Sequence, residues 1–197
     1  KFSPSQLILL DQAETPLYLL ELELEKISSF KDFEIIVASL NDKNKLDYIF
    51  KTFKPEIVFH VAAYKHVPMM EQHPYEAIRV NVLGTINVAN LSHSSGVKKF
   101  VMVSTDKAVN PTNIMGATKR LAEMYIQSFD SKSTTSFITT RFGNVLGSNG
   151  SVIPLFKKQI ENGGPITITH PEVTRFFMTI PEASQLVLEA GAMGKGG

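Results

Sequence analysis

The chain has 197 residues, 43% of them hydrophobic and 20% charged, which are ordinary values for a globular domain able to bury a core. Lys plus Arg number 20 and Asp plus Glu 19, a net charge of +1 that argues against a strongly cationic nucleic-acid binder. Cysteine is absent, which excludes disulfide frameworks, thiol catalysis and cysteine–zinc sites, and no apolar run approaches the roughly 18 residues of a membrane span. The opening KFSPSQ lacks the apolar stretch of a signal peptide, so a cytoplasmic domain with no membrane contact of its own is the expectation.

In chain order, Leu7–Leu10 reads as a first strand, short and apolar on both faces. Pro16–Ser28 follows as a helix: Leu17, Leu20 and Leu24 recur at helical spacing, although Leu20, Leu22 and Leu24 also alternate as in a strand. Glu34–Ala38 is a second strand, and Lys43–Phe53 a short helix with Asp42 placed as its N-cap. Glu56–His60, Lys99–Val103 and Phe137–Arg141 are three further strands, separated by the helical patterns Pro74–Ser94 and Met115–Ser128. Val152–Asn162 is a helix stopped by Gly163–Gly164, and Pro181–Ala190 closes the series with Pro at its start.

Strand–helix alternation with short connections predicts parallel βαβ units, hence an α/β, doubly wound, Rossmann-like sheet with helices on both faces and ligands at the carboxyl ends of the strands. A single domain over 1–197 is expected, with substrate-binding elements from about residue 144. No G-x-G-x-x-G loop occurs, and Gly147–Gly150 follows too late a strand to replace it. A dinucleotide-type sheet lacking its first strand and glycine loop would leave two buried edges unpaired, so the domain is expected to be incomplete at both ends.

Chemistry is therefore sought just after each strand. Asp11 either hydrogen-bonds a ribose or caps the next helix. Ala62 and Ala63 are small enough for a flat ring or ribose to approach, and Lys65 suits a phosphate or sugar hydroxyl. His60 and His66 fit no standard metal-ligand spacing, and no metal site is expected. After the fourth strand, Ser104, Thr105, Asp106 and Lys107 cluster where a substrate would lie, and an Asp–Lys pair can serve as acid and base. Met115 and Lys119, one helical turn apart, project from one face toward the same strand end. Asn144 offers an amide, and Gly147–Gly150 a loop able to close on a ligand. Arg175, inside the run TRFFMTI, suits either a buried carboxylate or a diphosphate.

The strings HVAAYKHVPMME, VNVLGTINV, VSTDKAVNPTNIMGATKR, RFGNVLGSNGSVIPLF and TRFFMTIPEA run in one order from about His60 onward. Together they resemble the extended short-chain dehydrogenase/reductase family, and within it the UDP-N-acetylglucosamine 4,6-dehydratases of the polysaccharide-biosynthesis group. The resemblance implies a tightly bound, recycled NAD(P)+, with Asp11 near the adenosine ribose and Leu40 against adenine. Ala62, Ala63 and Lys65 would run along the cofactor, and Asn81 would be a structural or cofactor-side asparagine. Lys119 matches the lysine of the Tyr-x-x-x-Lys motif and would hold the nicotinamide ribose. Asn144, Ser148 and Arg175 would meet the UDP-sugar substrate. Asp106 would protonate the leaving 6-hydroxyl and Lys107 take the C5 proton, with Thr105, or a water polarised by Asp106 or Lys119, for the C4 hydroxyl.

Met115 stands where the family has its tyrosine, and a thioether cannot take a proton. The exchange resembles the larger, membrane-anchored subgroup, whose members carry transmembrane helices and a further domain upstream, with this domain in the cytoplasm. The family also implies homo-oligomers that pair long helices such as Pro74–Ser94 and Met115–Ser128. Two other readings stand beside the dehydratase: a 4-epimerase or reductase on the same fold, and a non-catalytic nucleotide-sugar-binding domain.

Overall fold

The computed structural model describes residues 4–27, 32–62, 64–129, 132–148, 150–168, 170–172 and 174–196. Strands alternate with helices: β1 (Leu7–Asp11), α1 (Glu14–Glu25), β2 (Phe33–Val37), α2 (Lys43–Phe53), β3 (Ile57–His60), α3 (Val67–Gln72), α4 (Pro74–Ala77), a π-helical stretch (Ile78–Gly84), α5 (Thr85–Ser94) and β4 (Lys99–Thr105). A 3₁₀ turn (Asp106–Ala108), α6 (Ile114–Gln127), β5 (Ser136–Phe142), β6 (Asn144–Val145), α7 (Val152–Glu161), β7 (Phe177–Met178) and α8 (Ile180–Met193) complete the order.

Every strand pairing is parallel. β1 pairs with β2 from Leu7↔Phe33 to Asp11↔Val37, and β4 lies between β3 and β5. Among the described residues, β1 and β3 do not pair, so the sheet is parted between them. This is the Rossmann-like α/β architecture expected, with the break where a central strand would lie.

The core sits on one face of β3–β4–β5. Phe100 and Met102 of β4 and Phe137 of β5 pack against Leu46 and Phe50 of α2, Val88 and Ala89 of α5, and Ala122 and Ile126 of α6. The opposite face is covered by α8, where Gly191 packs on Phe59 and Val101 so closely that a Cβ would lie 3.2 Å from the Phe59 ring. Lys99 Nζ donates to the Gly191 and Ala192 carbonyls at 2.6 and 2.8 Å, satisfying the end of that helix. Burial on both faces explains why β4 reads as a continuous apolar run. No helix among the described residues is long and apolar enough to cross a membrane.

Local signals act as their chemistry requires. Asp42 caps α2 by accepting from Lys45 N at 3.0 Å, and Gly163 and Gly164, at φ 86° and 80°, end α7. The one helix expected over Pro74–Ser94 is three segments. Its π-helical middle turns Asn81 wholly inward, and Gly84 lies where a Cβ would be 3.0 Å from Leu40 Cβ. Neither α3 nor the β6–β7 pair was expected. Two-residue strands carry no periodicity, and α3 is a six-residue helix behind a proline.

β3 ends at His60, buried at 4% exposure with its ring 5.7 Å from that of Phe100. His60 Nε2 lies 2.8 Å from Thr85 Oγ1, whose own proton goes to Asn81 O at 2.7 Å. The imidazole is therefore assigned as the neutral form donating from Nε2. Burial, helped by the Lys119 charge, pushes its pKa down to about 3. Folding therefore carries no penalty from this histidine above the unfolded value near 6.5 and loses stability as pH falls from there toward 3, because the unfolded chain takes up the proton first. Urea titrations should show the wild type losing roughly 3 kcal/mol more than His60→Gln between pH 7 and 4.

α6 begins on the 3₁₀ turn: a Cβ on Gly116 would lie 2.2 Å from the Lys107 carbonyl oxygen, a backbone atom with little room to move. Gly116→Ala should lower stability by about 1–3 kcal/mol in thermal unfolding, because helix and turn must separate.

Candidate active site

The carboxyl end of β4 turns into Asp106 and Lys107. Asp106 Oδ1 accepts from Thr105 Oγ1 at 2.9 Å and from Lys107 Nζ at 3.2 Å. The pair is half-open, with side-chain exposures of 41% for Asp106 and 30% for Lys107, as a group that meets substrate must be. Burial alone would raise the Asp106 pKa, but the Thr105 hydroxyl and the Lys107 ammonium outweigh it and hold the carboxyl below its ordinary value. Gly143, between β5 and β6, brings bare backbone alongside: a Cβ there would lie 3.5 Å from Asp106 Oδ2 and 2.9 Å from the Phe176 carbonyl oxygen.

α6 presents Met115 and Lys119 inward, both buried, from the one face expected of them. Met115 does not open toward the Asp106–Lys107 pair; it packs with Met70, Ala77 and Tyr64. Lys119 Nζ donates to the Val103 carbonyl at 2.7 Å, so its amine and that of Lys107 gather at the same strand end. Burial pushes the Lys119 pKa down to about 8, with Glu123 acting against the fall.

At the ends of β1, β2 and β3 lies a cavity of about 340 Å³, lined by Asp11, Leu40, Ala62, Tyr64 and Val80 among others. Asp11 Oδ1 accepts from Ala13 N at 2.8 Å, closing the turn before α1, and the residue lines the cavity. The Leu40 carbonyl accepts from Asn87 Nδ2 at 2.9 Å, which fixes the loop that carries it. Ala63 lies outside the described residues. Lys65 is exposed and does not line the cavity.

Asn81, expected as a structural or cofactor-side asparagine, does not line the cavity either. Its side chain is fully buried: Oδ1 accepts from Tyr64 N at 2.8 Å, and Nδ2 donates to Tyr64 O at 3.2 Å and to Thr118 Oγ1 at 3.1 Å. Asn81 thus ties the loop after β3 to α6.

Of the residues expected at the sugar nucleotide, Asn144 is half-buried in β6, its N donating to the Phe176 carbonyl at 3.0 Å. Pairing of β6 with β7 brings the segment of Arg175 to the same place. Arg175 is exposed and donates to the Thr174 carbonyl at 3.0 Å; it is not buried against a carboxylate. Ser148 Oγ turns back to the Val145 carbonyl at 2.9 Å, closing the loop rather than facing the Asp106–Lys107 pair. Gly150 rests on the His66 ring, where a Cβ would lie 2.7 Å from Cε1, so Gly150 meets the loop that follows β3.

Sequence reasoning missed one constellation. Glu123 is fully buried, accepting from Arg141 Nε at 2.8 Å and Nη2 at 2.5 Å, and from Arg120 Nη1 at 3.2 Å. Burial acts to raise its pKa, but the guanidinium contacts win and keep it below the ordinary carboxyl value. A glutamate one turn beyond Lys119 was the available signal. Among the described residues, no group of three His, Asp or Glu side chains is disposed to hold a metal ion.

The profile of a family described as "Polysaccharide biosynthesis protein" matches residues 1–197. The capsular polysaccharide biosynthesis protein CapD of Staphylococcus aureus is 57% identical over 199 aligned residues, covering 100% of this chain and 33% of CapD. The chain thus spans about a third of that relative's length. A UDP-N-acetylglucosamine 4,6-dehydratase (inverting) of Campylobacter jejuni is 35% identical over 95% of this chain and 55% of its own, and a UDP-glucose 4-epimerase of Rickettsia canadensis 46% identical over 72% and 42%. Among solved structures, the X-ray structure of Pen from Bacillus thuringiensis superposes with a TM-score of 0.90 at 37% identity, covering 99% of this chain and 59% of that one. Parallel strands, site-bearing strand ends and a family profile matched along the full sequence converge: this chain belongs to the polysaccharide biosynthesis protein family.

Proposed function

We propose that the chain carries the sugar-processing centre of a UDP-N-acetylglucosamine 4,6-dehydratase that uses NAD(P)+. The observation that carries this reading is the half-open Asp106–Lys107 pair at the end of β4, with the Lys119 ammonium bonded to the same strand. A 4,6-dehydration needs an acid and a base side by side, whereas epimerisation at C4 does not. The 35% identity to the Campylobacter enzyme supports the same reaction.

The residues present fit the adenosine half of a dinucleotide: an acidic side chain and the small Ala62 line the cavity at the ends of β1–β3. Asp11 would hold the ribose, and Lys119 the ribose at the nicotinamide end. When bound, NAD(P)+ would supply a reversible hydride acceptor for sugar C4 and C6.

The side chains do the rest. The C4 hydroxyl proton would leave through Thr105, whose hydroxyl donates to Asp106, or through a water polarised by Asp106 or Lys119, and pass to solvent. The 4-ketone that results acidifies C5–H. Lys107 would take that proton while Asp106 gives one to the departing 6-hydroxyl, which leaves as water, and the Lys107 proton would return to C5 as hydride reaches C6. Substrate settling over the pair removes water, and desolvation favours the neutral forms of both groups. The proton then moves from Lys107 Nζ to Asp106 along their 3.2 Å contact, and one transfer arms both acid and base. Asn144 and Arg175 would meet the UDP moiety. Met115 takes no part in proton transfer.

A second reading, a 4-epimerase, is favoured by the 46% identity to the Rickettsia protein. The product separates the two. NMR of the protein incubated with UDP-N-acetylglucosamine and NAD+ should show a UDP-4-keto-6-deoxy-N-acetylhexosamine; UDP-N-acetylgalactosamine in its place would establish the epimerase. Asp106→Asn should cut dehydration at least about 10²-fold, the usual contribution of a positioned acid, and a variant keeping most of its rate would remove Asp106 from the mechanism.

A further inference from the structure

The buried carboxylate of Glu123 has no part in the chemistry above. It lies on α6 four residues beyond Lys119, on the same buried face, and is itself 0% exposed. An ionised carboxylate in that position survives only because charge surrounds it: Arg141 reaches it with two hydrogen bonds from the end of β5, and Arg120 with one from α6. Lys119 has the mirror-image problem. Its ammonium is buried and holds one hydrogen bond, to the Val103 carbonyl.

We propose that Glu123 is a positioning residue for Lys119: its carboxylate, pinned by the two arginines, keeps the neighbouring ammonium charged and seated beneath the end of β4. The proposal deepens the reading in which Lys119 works as a cation at the nicotinamide ribose.

The remaining charges on the elements packed against α6 are otherwise engaged. Asp106 and Lys107 pair with each other in the 3₁₀ turn, and Glu76 of α4 pairs with Arg79 of the π-helical stretch. Glu71 of α3 accepts from Ile114 N. Lys99 of β4 caps α8, and His93 of α5 bonds Ser133. His60 of β3 is buried and neutral near Lys119 and supplies no counter-charge. Glu123 is the carboxylate that acts on the lysine, opposing the fall that burial imposes. The same carboxylate bonds Arg141, and the next residues of that strand lead to Gly143 beside Asp106. The pin therefore joins the helix of Lys119 to the strand that feeds the substrate side.

The test is a direct titration of the protein labelled with ε-¹³C lysine, with Lys119 assigned from the signal lost in Lys119→Met. In the wild type the midpoint should lie near the value of about 8 that burial sets. Glu123→Gln should lower it by about one unit, since a counter-charge is gone and two guanidinium groups stay. Arg141→Gln removes the two hydrogen bonds that keep the carboxylate ionised and should lower the midpoint toward the Glu123→Gln value. Glu123→Asp, which keeps the charge, should stay closer to the wild type than Glu123→Gln. An unmoved midpoint in Glu123→Gln, or a full one-unit fall in Glu123→Asp, overturns the proposal. Should Glu123→Gln fail to fold, the Arg141→Gln and Glu123→Asp arms decide, with an unmoved midpoint in the first or a full one-unit fall in the second counting against it. The titration is read without dinucleotide or sugar, so its failure leaves the dehydratase reading, judged by its product, standing.

Discussion

The Lys119 ammonium sits 2.7 Å from the Val103 carbonyl with almost no contact to water, and a cation so placed loses its hydration unless carbonyls and counter-charge replace it. That constraint reaches through the molecule. It requires the end of β4 to lie directly under α6, so that a backbone carbonyl is available. It is matched by a buried carboxylate one helical turn away, and that carboxylate in turn requires guanidinium groups from α6 and β5. It adds to the burial that keeps His60 neutral, because a second positive charge in the same interior would be repelled. A helix, two strands and the turn between them are held in one register by the need to accommodate one charge.

The rest of the site follows from what that register places nearby. Gly116 lets the first turn of α6 rest on the Lys107 carbonyl, so the half-open Asp106–Lys107 pair and the buried Lys119 share a strand end. Asn81 pulls in from the other side, bonding the backbone of Tyr64 in both directions and Thr118 next to Lys119. The loop after β3, which borders the cavity, is thereby locked to the helix that carries the lysine. The buried groups are rigid and hydrogen-bonded, and the group suited to meet a substrate is exposed. This division fits a parallel sheet that presents chemistry at its carboxyl ends.

Much of this was legible beforehand. The five long strands and the helices of α2, α6 and α7 stand within a few residues of where apolar runs, caps and glycine stops put them, because those signals are local. The clustering of Asp106 and Lys107 with Lys119 was legible too, since a strand end and a helix face fix directions as well as positions. Asn81 was left between a structural and a cofactor-side role because an asparagine offers donor and acceptor to a ligand or to backbone alike. The π-helical stretch was invisible because its sequence satisfies an ordinary helix. Arg175 carried no signal beyond its charge, and its exposure depends on how β7 meets β6.

The amino-acid sequence alone determined the parallel α/β architecture, the order of its elements and the adjacency of Asp106 and Lys107 at the end of the fourth long strand, since each rests on periodicity, capping or immediate succession along the chain. Only the tertiary structure decided which polar groups are buried and which stay open. It put Glu123 between two arginines, Asn81 against the Tyr64 backbone, and Met115 in an apolar cluster with Met70 and Ala77. Burial and charge pairing are properties of segments far apart in the chain meeting in space, and no local pattern records which of them will meet.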